Sequence, residues 1–215
     1  MIVVPGDIVN KKIEGTYEKD SKIVVKYVGL LEEKKITSLN GPYNPKKDDL
    51  VIGKIIDVYP NGWLVDINSP YYGFLLIKDA TDRFIDITKD DLNDILTYGE
   101  FILAKIINVT RNKLINLSIK DKGLGKLKDG IIISISPKKV ARVVGKNASM
   151  LNLLKNTLGI EIIVGQNGRI FLKGDLNKIM IAYKAIKIIE ERSYKKGLTN
   201  TIKNFIEKQL KDAKI

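Results

Sequence analysis

Apolar and polar positions change period three times along the chain. Up to residue 45, short apolar runs at 2–4, 23–28 and 34–39 are broken by Gly6-Asp7, Gly15-Thr16 and Gly29, which predicts a small all-β unit. Residues 50–58, 62–67, 73–77, 101–109 and 114–119 are β-branched runs that predict five strands, the first two joined through Tyr59-Pro60-Asn61. A polar stretch, 78–98, separates the third strand from the fourth. Beyond residue 127 the pattern alternates between types. Residues 131–135 predict a strand ended by Pro137, 138–144 a short helix, and 149–158 a helix stopped by Gly159. Residues 160–164 and 169–173 predict strands flanking Gly165-Gln166-Asn167-Gly168, after which Asp175 opens a long helix through Arg192. On that helix Ile179, Tyr183 and Ile186 are spaced to face the sheet. A tail helix over 199–211 carries Ile202, Phe205, Ile206 and Leu210 on one stripe, spaced for packing within the chain.

Turn formers and charge at 39–49, and two glycines among lysines at 121–126, mark two joints. The expected organisation is a β domain over 1–45, a barrel over 46–121, an α+β domain over 127–192 and a terminal helix over 198–212. The fold class is thus multidomain, all-β plus α+β. Five short strands with the long connection between the third and fourth fit a Greek-key barrel of OB type. About 45 residues bury too little surface to stand alone, so the first domain calls for a neighbour.

Composition removes many chemistries. The 215 residues include no cysteine and no histidine, which excludes disulfides, thiolate metal sites, a cysteine nucleophile and the commonest general base. No apolar run reaches the ~18–20 residues that span a bilayer, and the start is too short for a secretory h-region. A soluble, cytoplasmic protein without cofactor, metal or membrane attachment is expected. The net charge of +12 is uneven: residues 122–215 hold 20 Lys/Arg against 7 Asp/Glu, whereas 46–121 hold 10 against 12. An excess confined to the last third favours a polyanionic partner there, most plainly nucleic acid.

Between the two short helices lies Gly145-Lys146-Asn147-Ala148, followed by Ser149. A Gly-x-x-Gly turn in that setting clamps a nucleic-acid backbone, with exposed N–H groups and a helix N-terminus that favours an anion. Ala148 stands where the second glycine would be. A negative φ there leaves the loop unstrained; a positive φ costs about 1 kcal/mol or more. Lys138, Lys139 and Arg142 add charge just before it. A phosphate contact weakened by Ala148 is preferred to a helical hairpin turn without a ligand. Asn167-Gly168 reads as a structural hairpin turn, both residues tolerating positive φ. The run Asp79, Asp82, Asp86, Asp90, Asp91 and Asp94 could hold Mg²⁺ in a nuclease. Its spacing of mostly three or four instead suggests a solvated or protein-docking helical face.

Several runs are familiar. Gly53-Lys54-Ile55-Ile56-Asp57-Val58, Gly62-Trp63-Leu64-Val65-Asp66-Ile67, Gly73-Phe74-Leu75-Leu76-Ile77, Ala104-Lys105-Ile106 and Leu117-Ser118-Ile119-Lys120 resemble the ribosomal S-one RNA-binding repeat. In that family bases stack on an aromatic pair, aided by polar and basic residues; the matching positions here are Asn61, Leu64, Leu76, Thr110 and Leu114. The resemblance therefore implies a barrel without stacking rings, where Lys105, Arg111 and Lys113 touch phosphate and Trp63 faces the core. The order strand-helix-loop-helix-strand-strand-helix matches a KH domain whose long helix comes last.

Val4-Pro5-Gly6-Asp7, Gly41-Pro42-Tyr43-Asn44-Pro45, Val51-Ile52-Gly53-Lys54, Val65-Asp66-Ile67-Asn68-Ser69-Pro70, Val164-Gly165-Gln166-Asn167-Gly168 and Gly197-Leu198-Thr199 resemble the RNA-binding cap subunits of the archaeal exosome. The resemblance implies a non-catalytic protein, three copies of which cap a hexameric ring of RNase-PH-like subunits and feed it single-stranded RNA from the 3′ end. The N-terminal domain would dock on the ring. A free-standing RNA-binding protein, such as a translation or ribosome-assembly factor, is the alternative.

Overall fold

The computed structural model describes residues 1–31, 33, 36–83, 90–193 and 197–212. They form two compact units, Met1–Pro42 and Tyr43–Ile215. Among the described residues no helix is long and apolar enough to cross a membrane.

The first unit is all β. Strands β1 (Ile2–Val3), β2 (Ile8–Val9), β3 (Thr16–Lys19), β4 (Lys22–Val25), β5 (Gly29–Leu31) and β6 (Ile36–Ser38) make two three-stranded sheets, ordered β1-β5-β6 and β2-β4-β3. Positions 34 and 35 of the expected third apolar run lie outside the described residues. Val3, Val25 and Ile36 are buried, with Val9, Ile13, Tyr27 and Leu31 packed around them. Tyr27 donates to the Ile36 carbonyl at 3.1 Å and the Thr16 hydroxyl to the Ile13 carbonyl at 2.7 Å, tying loops to this small core.

The second unit opens with the barrel. Strands β7 (Leu50–Tyr59), β8 (Gly62–Asp66), β9 (Gly73–Leu76), β10 (Phe101–Val109) and β11 (Ile115–Ser118) run β11-β9-β8-β7-β10 and close through β10–β11 pairing. The β11–β9 pair is parallel and the others antiparallel. Helix α1 (Ile77–Ala80) follows β9, and β12 (Gly125–Lys126) adds to the free side of β10. Inward positions alternate along the strands, as a closed sheet demands. Trp63 is fully buried among them and its indole N–H donates to the Leu96 carbonyl at 2.8 Å. Tyr43, from the first joint, packs in this core and donates to Asp49 at 2.6 Å. Burial, then the Asp49 hydrogen bond and charge, hold its phenol far above its ordinary pKa.

The remainder is a three-stranded antiparallel sheet covered by helices. The order is β13 (Ile131–Ser134), α2 (Val140–Val144), α3 (Ser149–Leu158), β14 (Glu161–Val164), β15 (Arg169–Lys173) and α4 (Leu176–Glu191), with the sheet ordered β13-β15-β14. Gly159 at φ +61° ends α3, and the Asp175 carboxylate caps α4 by accepting from Asn177 and Lys178 N–H at 3.0 and 3.2 Å. Ile179 and Ile186 are buried as their spacing requires, but Tyr183 is exposed, and Ala182, Ala185 and Ile189 complete the inner face instead. The inner face is made partly of small alanines, which a pattern of large apolar residues does not mark. Helix α5 (Leu198–Asp212) buries Leu198, Ile202 and Ile206 in the same core, with Phe205 and Leu210 packed at its margin.

This sheet is buried on both faces. Ile170 and Leu172 point to the helices, while Phe171 points the other way, onto Ile52 and Leu103 of the barrel. Phe101, Leu124, Leu127, Ile132 and Ile163 surround that contact. Polar groups fix its register. The β14–β15 turn inserts Asn167, fully buried, against the barrel: its Nδ2 donates to the carbonyls of Ile52 (2.8 Å) and Ile67 (2.9 Å), and its Oδ1 accepts from Ile52 N–H (3.2 Å). In return the Asn68 side-chain amide donates to the Asn167 carbonyl at 2.7 Å, and Gln166 N–H donates to the Leu50 carbonyl at 2.8 Å. Arg169 donates to the carbonyls of Ile52 and Asp66 at 3.2 and 2.6 Å and pairs with the Asp66 carboxylate. Asn167-Gly168 is part of a structural hairpin turn, and of the two residues only Gly168 takes positive φ, at +82°. Asn167 is set by its side-chain bonds into the barrel.

Asn167→Ala takes away the side-chain partner of the Ile52 N–H and of the Ile67 carbonyl, and one of the two side-chain donors to the Ile52 carbonyl. It should lower the stability of the full chain by about 2 kcal/mol or more, read as a drop in the urea midpoint. Gln166→Ala, which keeps the backbone bond at this exposed position, should stay within ~0.5 kcal/mol of the parent.

Candidate nucleic-acid interface

The turn between α2 and α3 has the shape its first glycine requires. Gly145 sits at φ +76°, ψ 171°, and a Cβ there would lie 2.8 Å from the Met150 nitrogen and 2.9 Å from the Met150 Cβ. Next come two left-handed residues, Asn147 at φ +51° and Ala148 at φ +59°. Asparagine tolerates this region; alanine does so at ~1–2 kcal/mol. Of the two outcomes open from the sequence, the strained one holds: Ala148 takes positive φ. Ala148 is the N-cap of α3 and supplies no side-chain acceptor, while the Ser149 N–H donates to the Lys146 carbonyl within the turn. Lys146, Asn147 and Ser149 are exposed or half-buried around that terminus.

A cavity of about 360 Å³ opens beside the loop, lined by Arg142, Gly145, Lys146, Ser149 and, from the start of α5, Leu198 and Thr199. Arg142 is exposed, and its Nε donates to the Ser193 carbonyl. Lys138 and Lys139 lie in the Pro137–Lys139 turn that leads into α2. Glu190 on α4 fastens this turn: its carboxylate accepts from Ser136 N–H at 2.7 Å and pairs with Lys187 at 2.8 Å. Burial pushes the Glu190 pKa up, but the Lys187 and Ser136 hydrogen bonds and the charges of Lys187 and Lys139 outweigh it. The net pKa lies below the ordinary 4.5.

The barrel residues divide differently. Lys105 stands between Asp48 (3.4 Å) and Asp121 (3.5 Å), so its charge is held within the protein; the Asp48 hydrogen bond leads the causes that raise its pKa. Arg111 and Lys113 are exposed on the tight β10–β11 turn, closed by Thr110 N–H to the Leu114 carbonyl and Lys113 N–H to the Thr110 carbonyl, both 3.0 Å. The Lys113 ammonium lies 5.7 Å from the Tyr71 ring centre.

The expectation of a barrel surface without rings needs correction. Positions 61, 64, 76, 110 and 114 are non-aromatic, yet Tyr59 and Phe74 pack on the outer face with ring centres 6.1 Å apart, and Tyr71 and Tyr72 stand exposed in the β8–β9 loop. Phe74 is the direct cross-strand partner of Leu64. The signal was in the sequence: Tyr71, Tyr72 and Phe74 crowd three rings around the start of β9.

The acidic run is not one helical face among the described residues. Asp82 pairs with Lys120, Asp90 with Arg83, and Asp91 caps the short turn Leu92–Asp94; Asp86 lies outside the described residues. One Asp79 oxygen is buried without a partner. Among the described residues no group of three carboxylates is placed to hold a metal ion.

Two outcomes follow from this geometry. Ala148→Gly should raise stability by up to about 1 kcal/mol in thermal melts, by removing the left-handed cost. Glu190→Gln should be less stable than the parent at neutral pH. A depressed folded pKa makes the carboxylate's contribution complete above 4.5, so the gap should close as pH falls through and below that value, as measured by urea titrations across pH.

Comparison with known proteins accords with this architecture. A family model described as a KH domain matches residues 130–178. The exosome complex component Rrp4 of Thermofilum pendens is 38% identical over 98% of this chain and 94% of its own length. The Rrp4 components of Picrophilus torridus and Pyrococcus furiosus are 37% and 39% identical, covering 96% and 99% of this chain and 92% and 85% of theirs. A crystal structure assigned provisionally as an exosome complex RNA-binding protein superposes with a TM-score of 0.76 at 38% identity, over 80% of this chain and 99% of that one. With full-length identity at this level, and a KH domain and OB-type barrel in the same chain, the chain belongs to the Rrp4 family of exosome complex components.

Proposed function

We propose that this chain is a non-catalytic, RNA-binding subunit that delivers single-stranded RNA to an exosome. The α2–α3 turn carries the reading: a glycine that admits no Cβ, an exposed Lys146 beside it, and an α3 N-terminus that no N-cap side chain covers. This combination suits a phosphate and reads no base. Binding through phosphates is sequence-tolerant and reversible, which a subunit that passes RNA onward requires. The excess of Lys/Arg over residues 122–215 works in the same direction by drawing the polyanion to this part of the chain.

In this reading three copies cap a hexameric ring of RNase-PH-like subunits, and hydrolytic or phosphorolytic chemistry belongs to the ring. The first unit is the docking element. Its core is small, and Met1, Ile2, Val4 and Ile8 are exposed, so a partner surface would complete it. The carboxylates in the long barrel connection that pair with Lys120 and Arg83 are occupied within the protein, which disfavours a nuclease centre there. The site of action is the cytoplasm.

Lys146→Glu should weaken binding of unrelated single-stranded RNAs to a similar degree and reduce the slope of log affinity against log salt by about 1 or more. Unchanged affinity and slope would remove the loop from the interface. In size-exclusion chromatography the full chain should co-elute with RNase-PH-like ring subunits. Separate elution would favour a free-standing RNA-binding protein.

A further inference from the structure

The pair Asn-Gly occurs at 40–41, 61–62 and 167–168. We propose that Asn40-Gly41 is a self-modification site: of these pairs, the fold leaves this one free to cyclise, so that Asn40 converts to aspartate and isoaspartate beside the boundary between the two units. The inference goes beyond the RNA-binding function and does not depend on it.

Glycine after asparagine exposes its nitrogen, because no Cβ shields it. A solvent base takes the Gly41 amide proton and the Gly41 nitrogen attacks the Asn40 Cγ. The N–Cγ bond forms, the Cγ–Nδ2 bond breaks, and the proton returns on the departing ammonia. A cyclic succinimide remains. Water opens it at either carbonyl, giving aspartate or isoaspartate, with nothing oxidised or reduced.

This step requires a free side-chain amide, a free N–H on the next residue and a backbone able to turn one onto the other. Asn167 lacks all of these. It is fully buried, its Nδ2 and Oδ1 are bonded to Ile52 and Ile67, and the Gly168 N–H donates to the Gly165 carbonyl at 3.1 Å. Asn61 is exposed, but its backbone is pinned. Gly62 lies in the β7–β8 ladder opposite Tyr59, and the Asn61 carbonyl accepts from Ile77 N–H at 3.2 Å. A Cβ at Gly62 would fall 2.1 Å from the Leu75 carbonyl oxygen, which shows how little room the chain has to rotate there.

Asn40 and Gly41 are both exposed and lie outside any helix or strand. Among the described residues, neither the Asn40 side chain nor the Gly41 N–H has a partner. The Ser38 hydroxyl donates to the Asn40 carbonyl. That bond draws electron density out of the Asn40–Gly41 amide and so makes the Gly41 proton easier to remove. The first unit ends at Pro42, and Tyr43 is anchored in the barrel core. Conversion therefore puts a new carboxylate at the joint, and the isoaspartyl form also lengthens the main chain there by one atom.

The test incubates the full chain in mildly alkaline buffer, beside a sample in urea, and follows each Asn-Gly peptide by mass spectrometry. Isoaspartate is read separately, by methyl transfer from labelled S-adenosylmethionine with an isoaspartyl methyltransferase. In the folded chain the Asn40 peptide should convert at close to its rate in urea. The Asn61 and Asn167 peptides should convert at least about tenfold more slowly than in urea, because each needs a local opening first. Asn40→Gln, whose longer side chain closes a less favoured ring, should remove most methyl acceptance from the folded chain. The site is overturned if Asn40 is protected in the folded chain as strongly as Asn167. It is equally overturned if Asn61 or Asn167 converts first, or if Asn40→Gln accepts methyl groups as the parent does.

Discussion

The second unit depends on a small set of buried hydrogen bonds between the β14–β15 turn and the barrel. Asn167 offers two donors and one acceptor to backbone groups of Ile52 and Ile67, and it is itself fully buried. Buried polar groups left without partners are costly, so only one registration of the two sheets satisfies all of them. The apolar contact of Phe171 with Ile52 and Leu103 supplies adhesion without direction; Asn167, Arg169 and Asp66 supply the direction. The α2–α3 turn and the barrel keep their places in one unit through that fixing.

The α2–α3 turn shows a compromise at a single methyl group. Gly145 cannot change, because a side chain would press into Met150, whereas Ala148 holds a left-handed conformation at a modest energetic cost. The loop is thereby closed on itself, with the Ala148 and Ser149 N–H groups donating to the Gly145 and Lys146 carbonyls. Glu190, gripping Ser136 and Lys187, steadies the turn that brings Lys138 and Lys139 in ahead of it. Charge density in the last third of the chain thereby gains a defined place at which to act.

Regular elements were legible in the sequence because their patterns are local. The strand 101–109, the helix 149–158 and the stop at Gly159 are each written in a few neighbouring residues, and they stand where the periodicity puts them. What failed was decided at a distance. Tyr183 has the right spacing to face inward with Ile179 and Ile186, but Ala182 and Ala185 take that side and Tyr183 is exposed. Asn167-Gly168 is the structural hairpin turn its letters suggest, but nothing local reveals that residue 52 waits to bond it. The aromatic surface of the barrel was hidden because positions 61 and 64 carry no ring, whereas strand pairing brings Phe74 beside Leu64. The sign of φ at Ala148 is likewise a property of the closed turn and not of the residue.

The two-sided burial of the β13-β15-β14 sheet has a practical corollary for fragments. Cutting the chain near residue 127 to isolate the KH part would lay bare Phe171, Ile132 and Ile163 together with the amide of Asn167, all of which meet the barrel in the intact chain. Such a piece would carry a sticky apolar face beside unsatisfied polar groups, an arrangement that promotes self-association in solution. The natural point of dissection is the boundary after Pro42, and the barrel and KH sheet are best regarded as inseparable.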